Sequence, residues 1–165
     1  MLISKDYAAQ NSALHHAVPS YGANGGRHAK PVRALMDKHG LKTLLDYGCG
    51  KGSLIALFPG AVGYDPAIPE LSALPIGPFD LVTCTDVLEH IEPECLDAVL
   101  DHIAGLGQWV YLLASTKPAK KFLPDGRNAH LIVESPQWWE ATLSRYFAGS
   151  VSVGTDEVLF VGQPL

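Results

Sequence analysis

The sequence predicts a three-layer α/β sandwich built on a mostly parallel sheet, and three observations carry the prediction. Short apolar runs alternate with amphipathic segments along the chain, which is typical of βαβ units. The first apolar run opens into a cluster of glycines, as a parallel strand does at a ligand site. The last two apolar runs are separated by a Gly-Thr-Asp turn and predict an antiparallel hairpin. Together these features favour a Rossmann-like sandwich.

Composition fits one folded domain of about 100–200 residues. Hydrophobic residues make up 47% and charged residues 18% of the 165 positions, so the chain has the material for a sizeable core. Seventeen Asp and Glu against twelve Lys and Arg give a net charge of -5. No global positive field therefore draws the protein to nucleic acid or an anionic membrane, although a local basic patch stays open.

Targeting and cysteine signals favour a cytoplasmic protein that begins at Met1. The first twenty residues contain no apolar segment behind a basic start, which argues against a secretory signal. The longest run without a charge or histidine, Ile103–Thr116, has fourteen residues, which is short for a membrane span. Cys49, Cys84 and Cys95 show neither a disulfide framework nor zinc-site spacing, so we expect no metal there.

The chain divides into an amino-terminal arm, residues 1–26, and one domain, residues 27–165. In the arm, residues 6–18 predict a short helix and residues 20–26 are turn-forming, so we expect a loosely attached segment that acts as a lid. The first core helix is predicted over His28–His39 because its apolar residues recur at helical spacing and Gly40 ends it.

The remaining elements follow from the change of period along the chain. The predicted strands are Thr43–Tyr47, Ala61–Asp65, Phe79–Cys84, Gln108–Ala114, Val151–Val153 and Glu157–Val161. The predicted helices are Lys51–Phe58, one or two within Asp86–Gly105 that break near Pro93, and Pro136–Phe147.

The most informative motif is the glycine-rich turn after the first strand. Gly48, Gly50 and Gly52 lie where a buried strand meets the next segment, and glycines there let a ligand approach the backbone. Asp65 ends the next strand, nineteen residues after Asp46, near the spacing at which an acid binds a ribose diol. The structural alternative is a tight turn followed by an unrelated acid.

The glycine spacing argues against a dinucleotide. The turn reads G-x-G-x-G, with Ser53 where the dinucleotide fingerprint G-x-G-x-x-G needs its third glycine. No Tyr-x-x-x-Lys pair and no G-x-x-x-x-G-K-[ST] loop is present, which weakens the nicotinamide and ATP interpretations.

Three segments, Asp46–Gly52, Gly63–Pro66 and Phe79–Glu94, resemble the class I S-adenosylmethionine-dependent methyltransferases. The whole chain is similar to small stand-alone methyltransferase-domain proteins. The resemblance implies S-adenosylmethionine as cofactor and S-adenosylhomocysteine as product, with the methionine part at Asp46 and the glycine turn and the ribose at Asp65. The implied cofactor-binding residues are Asp46, Gly48, Cys49, Gly50, Gly52, Asp65, Pro66, Thr85 and Asp86.

One departure from the family concerns the third strand. Only Pro66–Pro78, thirteen residues with four prolines, separates the ribose acid from the next strand, which is too little for the usual helix and strand. We therefore expect a six-stranded sheet, with the adenine covered by the backbone of residues 71–73. The exposed sheet edge favours pairing with a partner or a second copy there. We expect a monomer or a weak homodimer.

Candidate substrate residues lie mainly on the loop Ser115–Ser135, at the strand edge where open sheets bind ligands. His130 could accept a proton from the acceptor, orient it, or be structural. Arg127 is either a solvated turn residue or an anion-binding group, and Lys117 lies on the same loop. In and next to the arm, Tyr21 and His28 adjoin glycines that allow hinge motion, whereas His90 is expected to pack or cap.

The resulting hypothesis is methyl transfer to an unidentified acceptor, a small anionic molecule or a nucleotide. The absence of an Asp-Pro-Pro-Tyr-like tetrapeptide argues against sequence-specific DNA methylation, and the absence of an adjacent Asp-Asn pair after the fifth strand predicts that no metal is used. The alternative is a non-catalytic module that binds S-adenosylmethionine or a partner protein.

Overall fold

Six strands, four α-helices and five short 3₁₀ helices account for the regular structure in the computed structural model, which describes residues 1–165. The strands are β1 (Leu44–Tyr47), β2 (Val62–Tyr64), β3 (Phe79–Thr85), β4 (Gly107–Ser115), β5 (Phe147–Val153) and β6 (Glu157–Pro164). The helices are α1 (Lys5–Ala17), α2 (Ala29–His39), α3 (Leu96–Leu106) and α4 (Pro136–Leu143). No helix has the length and apolar character needed to cross a bilayer.

The strands form one sheet in the order β2-β1-β3-β4-β6-β5. The first four are parallel, and β6 runs antiparallel to both β4 and β5. The predicted fold class is confirmed. Because the chain leaves β1 for β2 on one side and returns to β3 on the other, the order reverses between β1 and β3. Open α/β sheets bind ligands beyond the carboxyl ends of the strands at such a point.

Neighbouring residues on each strand pack into opposite layers. Leu45, Val82 and Leu112 belong to a core of 22 buried residues that also contains Leu100 of α3 and Trp139 of α4. The residues next to them along the strands, Leu44, Leu81 and Tyr111, pack on the other side with Val32 of α2. This alternation is why the apolar runs are continuous, since both sheet faces are covered.

Two predicted helices differ from the structure. Lys51–Phe58 was expected to be helical, but it contains only turns and a short 3₁₀ helix, Ile55–Leu57. Gly52 has a φ of 73°, and the pair Pro59 and Gly60 follows immediately, so there is no room for a regular helix. The last predicted helix ends at Leu143 rather than Phe147, because Phe147 begins β5 and pairs with Pro164.

Residues 66–78 contain no strand, as predicted. Their one regular element is a 3₁₀ helix, Pro69–Leu71, whose Leu71 carbonyl accepts a hydrogen bond from the Asp65 amide at 2.9 Å. Strand β2 is therefore an edge of the sheet, and its Val62 is 41% exposed. Pairing of this edge with another chain stays a prediction.

The amino-terminal arm is attached to the domain, which corrects the expectation of a loose segment. Tyr7 and Leu14 of α1 are buried with Leu123 in a small apolar cluster. The Tyr7 hydroxyl donates to the His90 carbonyl, and Ser4 donates from its amide and hydroxyl to the Glu92 carboxylate at 2.8 and 2.7 Å. These apolar and polar contacts hold the arm in one position across the carboxyl ends of the strands.

Candidate functional site

One cavity of about 760 Å³ lies at the carboxyl ends of β1 and β3. This volume falls within the usual range of about 300–1,000 Å³ for small-molecule sites. Its walls come from the arm, the glycine turn after β1, the segment after β3 and the loop after β4. The switch point of the sheet therefore coincides with the cavity, as the fold predicts.

The glycine turn is held by close backbone contacts. Gly48 has a φ of 77°, and a Cβ there would lie 2.4 Å from Val87 Cγ2. Gly50 has a φ of 52°, and a Cβ there would lie 2.3 Å from the Gly22 carbonyl oxygen of the arm. The Lys51 amide donates to that same oxygen at 2.7 Å. Glycine is thus required both for the backbone conformation and for the approach of the arm.

Two buried acids flank this turn. Asp46 accepts a hydrogen bond from Thr83 Oγ1 at 2.8 Å, and burial raises its pKa to about 6 despite that bond. Asp65 uses one oxygen to accept from the Gly50 amide and the other from the Ala67 amide, both at 3.0 Å. Each carboxylate oxygen has a second lone pair, so Asp65 can still accept two hydroxyl groups.

Asp86 lies next to the turn in a backbone conformation that side chains rarely adopt, with a φ of 57°. Both of its oxygens accept from the Arg27 guanidinium at 2.9 Å, and His28 Nε2 lies 3.8 Å from Oδ2. Burial alone would raise the pKa of Asp86, but interactions with His28 and Arg27 lower it. Sequence reasoning did not select Arg27, because nothing in the sequence shows that it reaches Asp86.

The arm supplies a further wall of the cavity. The Tyr21 hydroxyl donates to Asn11 Oδ1 at 2.7 Å, and the Tyr21 ring meets the His15 ring edge-on. His15 Nε2 lies 4.0 Å from Asp65 Oδ2, and burial lowers the pKa of His15 although the Asp65 charge opposes this. The placement agrees with a covering role for the arm; its movement as a lid stays a prediction.

Glu89, His90 and His130 meet beside the arm, where the Tyr21 ring lies edge-on to the His90 ring and the His90 ring edge-on to the His130 ring. Burial raises the pKa of Glu89 to about 8, and burial together with His130 lowers the pKa of His90 to about 4. His130 Nδ1 lies 2.6 Å from the Lys117 carbonyl oxygen, which can only accept, so Nδ1 carries the proton. His130 Nε2 then has a lone pair, 4.0 Å from Glu89 Oε1. Glu89 was not among the predicted site residues. Its position next to His90 and near Asp86 in the sequence could have indicated that it lies at the site.

Lysines from the loop after β4 lie along the cavity rim. Lys117 pairs with Asp156 at 2.5 Å, so its charge is largely compensated. Lys121 lies 5.2 Å above the Tyr21 ring, and the exposed Lys120 lines the same rim. Positive charge is thus available at the rim of the cavity, beside Tyr21 of the arm.

The comparison with protein families decides the identity of the chain. Residues 25–146 match a family model described as a methyltransferase domain. The chain belongs to this methyltransferase family. The resemblance of the sequence to class I methyltransferases is confirmed. No curated protein matches the chain.

Solved structures show the same methyltransferase fold at low sequence identity. The DhpI–SAH complex is 17% identical, with a TM-score of 0.61, and the match covers 96% of this chain and 96% of that chain. An O-methyltransferase family protein from Burkholderia thailandensis is 15% identical, with a TM-score of 0.60 and coverage of 99% and 63%. The methyltransferase domain of bacterial CtHen1-C is 17% identical, with a TM-score of 0.60 and coverage of 86% and 98%.

Most sequence-predicted residues of this methyltransferase line the cavity. They are Asp46, Gly48, Cys49, Gly50, Asp65, Pro66, Thr85, Asp86, Tyr21, Lys117 and His130. Gly52 does not line it but has a φ of 73° that shapes the turn. Residues 71–73, expected to cover the adenine, lie outside the lining, whereas Pro66 and Ala67 are part of it.

Two candidate substrate residues, His28 and Arg127, are not part of the cavity lining. His28 is buried behind Asp86, next to the Tyr111 ring. Arg127 donates to the Asp125 carboxylate at 2.8 Å and faces solvent, which agrees with the turn interpretation rather than with anion binding. The position of His28 depends on Asp86 and Tyr111, which are distant in sequence. The direction of Arg127 depends on Asp125 in the same turn.

We predict that Gly50→Ala destabilises the methyltransferase more than Gly60→Ala does. Gly60 also has a positive φ, 81°, but a Cβ there meets nothing within 4 Å. Gly60→Ala should therefore cost about 1–2 kcal/mol from backbone strain alone. Gly50→Ala should cost a further ~1–3 kcal/mol, because the arm must move away from the added methyl group. Urea unfolding measures both values, and equal losses would show that the arm does not press on the turn.

Proposed function

We propose that this methyltransferase transfers the methyl group of S-adenosylmethionine to a small anionic or nucleotide-like acceptor and releases S-adenosylhomocysteine. The observation that carries the proposal is one cavity lined by the glycine turn of β1, by Asp65 at the end of β2 and by Asp86 after β3. The family match and the SAH complexes among structures of the same fold support the choice of cofactor.

The residues divide the cavity into a cofactor side and an acceptor side. On the cofactor side, Asp65 would accept the ribose hydroxyls through its second lone pairs, and Asp46 and the glycine turn would hold the methionine part. Pro66 and Ala67 lie where the chain leaves β2 and would contact the adenine. The short segment 66–78 offers no neighbouring strand for that purpose.

On the acceptor side, the reaction needs alignment and, for a protonated nucleophile, removal of a proton. The acceptor atom attacks the methyl carbon, the carbon–sulfur bond breaks, and its electron pair stays on sulfur, which becomes neutral. His130 Nε2, the unprotonated nitrogen in the neutral ring, is positioned on this wall to accept the acceptor's proton or a hydrogen bond from it. Lys120 and Lys121 at the rim favour an anionic group on the acceptor.

The first test is the affinity for S-adenosylhomocysteine by calorimetry. Asp65→Ala should weaken binding about 10–100-fold, because hydrogen bonds to a charged group contribute roughly 1.5–3 kcal/mol. Glu70→Ala, an exposed acid in the following segment, serves as the matched control and should leave the affinity unchanged. Binding within about twofold of wild type for Asp65→Ala would remove that carboxylate from the ribose site.

The pH dependence of the same affinity tests Asp46. Its pKa is about 6 without ligand, and the cofactor's ammonium group favours the ionised carboxylate. Lowering the pH from 8 to 5 protonates Asp46, so affinity should fall about tenfold, following the ionised fraction. Asp46→Asn should bind the cofactor weakly and without this pH dependence. That result would attribute the pH dependence to Asp46 rather than to the nearby His28 or Asp65. A flat wild-type profile would contradict the assignment.

Turnover with labelled methyl donor and a panel of anionic small molecules and nucleotides tests the acceptor side. His130→Ala should lower turnover about 10²–10⁴-fold if His130 removes the proton, with cofactor affinity nearly intact. A smaller loss, shared with the Michaelis constant, would indicate orientation only. His16→Ala, on the exposed face of α1, is the control. Tight cofactor binding with no S-adenosylhomocysteine formed from any acceptor would favour a non-catalytic binding module.

A further inference from the structure

We propose that Glu89, His90 and His130 form a binding site for a divalent cation of the manganese-to-zinc series. All three residues line the cavity. The sequence analysis expected no metal, because the three residues are divided between two segments, 89–90 and 130, which only the fold brings together.

The geometry provides three ligand atoms around one point. One carboxylate oxygen of Glu89 and one ring nitrogen from each histidine all lie within 4.8 Å of one another. Ligands about 2.0–2.2 Å from a shared metal lie roughly 3–3.5 Å apart, so the widest pair must close by about 1 Å or more. Rotation of the His130 side chain, which is 13% exposed, would provide part of that movement.

The state of Glu89 points to a missing ligand. Its side chain is 1% exposed, and neither of its oxygens has a hydrogen-bond partner. The backbone amides of Glu89 and Ser115 lower the pKa of this carboxyl, but burial outweighs them. His90 Nδ1 is also buried without a partner. A buried carboxylate with no partner is costly unless something else binds it, and a cation would satisfy both groups at once.

The surrounding contacts orient His130 as a ligand. Its Nδ1–H donates to the Lys117 carbonyl at 2.6 Å, which leaves Nε2 for a metal; metal-binding histidines commonly donate their second ring nitrogen in this way. The loop is fixed on both sides of His130. Asn128 Oδ1 accepts from the His130 amide at 2.9 Å, and the Ile132 amide donates to the Glu89 carbonyl at 2.9 Å. The last contact joins the two segments that carry the ligands.

The donor set selects the class of cation. Two imidazoles and one carboxylate suit Mn²⁺, Fe²⁺, Co²⁺ or Zn²⁺, whereas Mg²⁺ and Ca²⁺ prefer oxygen ligands. Three protein ligands leave positions open toward the cavity for water or another oxygen. A further role, binding an acceptor hydroxyl and lowering its pKa, rests on the proposed function. His130 would then act on the acceptor through the cation rather than as a free base.

Metal titration of the whole protein tests the site without any methyl transfer. The protein is stripped with EDTA and dialysed. Mn²⁺ binding is followed by loss of the free-ion electron paramagnetic resonance signal, and Co²⁺ binding by visible absorption. We expect one equivalent per chain. Both Glu89→Gln and His130→Ala should weaken binding at least about tenfold, since even outer-sphere contacts of a metal site contribute about 10–100-fold.

Matched controls remove the same residue types from the surface. Glu140→Gln on α4 and His16→Ala on α1 are both exposed and should bind Mn²⁺ like wild type. Circular dichroism shows whether each variant is folded. If His130→Ala does not fold, Glu89→Gln still tests the site, because Gln has nearly the same shape as Glu. No stoichiometric binding by wild type, or binding that survives both Glu89→Gln and His130→Ala, would overturn the proposal.

Calorimetry with S-adenosylhomocysteine on the same metal-free samples separates this proposal from the proposed function. The cofactor side contains none of the three ligands, so cofactor affinity should persist after EDTA treatment. Loss of the metal site with intact cofactor binding would reject only the cation. Intact metal binding without cofactor binding would reject only the methyl-transfer function.

Discussion

The parallel pairing of β1 with β3 is the constraint on which the site depends. Asp46 lies opposite Thr83 in this pairing, and the Thr83 hydroxyl donates to the Asp46 carboxylate at 2.8 Å. Because β2 lies on the far side of β1 and β4 on the far side of β3, the chain must leave the sheet in opposite directions at this point. The gap that results is the cavity, with the glycine turn on one side and Asp86 on the other.

The arm completes the cavity through contacts that tolerate little change. The Gly22 carbonyl lies against Gly50 and accepts from the Lys51 amide, so the arm and the glycine turn share one backbone contact. At the other end of the arm, Tyr7 bonds to the His90 carbonyl, next to the acceptor wall. A change in the position of the arm would thus alter contacts both at the glycine turn and at His90.

Charges on the two sides of the cavity serve different chemistry. Asp65 is surrounded by backbone amides that stabilise its charge and leave it ready to accept hydroxyl groups. Neither oxygen of Glu89 has a hydrogen-bond partner, and burial raises the pKa of Glu89 to about 8. Two carboxylates of the same cavity therefore differ because Asp65 accepts a hydrogen bond from the glycine turn, whereas Glu89 is buried without a hydrogen-bond partner.

The sequence by itself determined the order of the strands along the chain, the buried parallel pairing, and the glycine turn and acids that line the cavity. These depend on local signals: apolar runs, glycines that permit positive φ, and an acid at a fixed distance along the chain. The truncation at 66–78 was predictable for the same reason, since its prolines cannot donate in a strand. Tertiary structure alone decided the rest. Arg27 reaches Asp86 across 59 residues, and His130 meets Glu89 across 41, because the sheet brings the ends of distant strands to one edge. Arg127 bonds to Asp125, two residues away, instead of reaching the cavity, because the direction of a turn side chain depends on its surroundings rather than on its spacing.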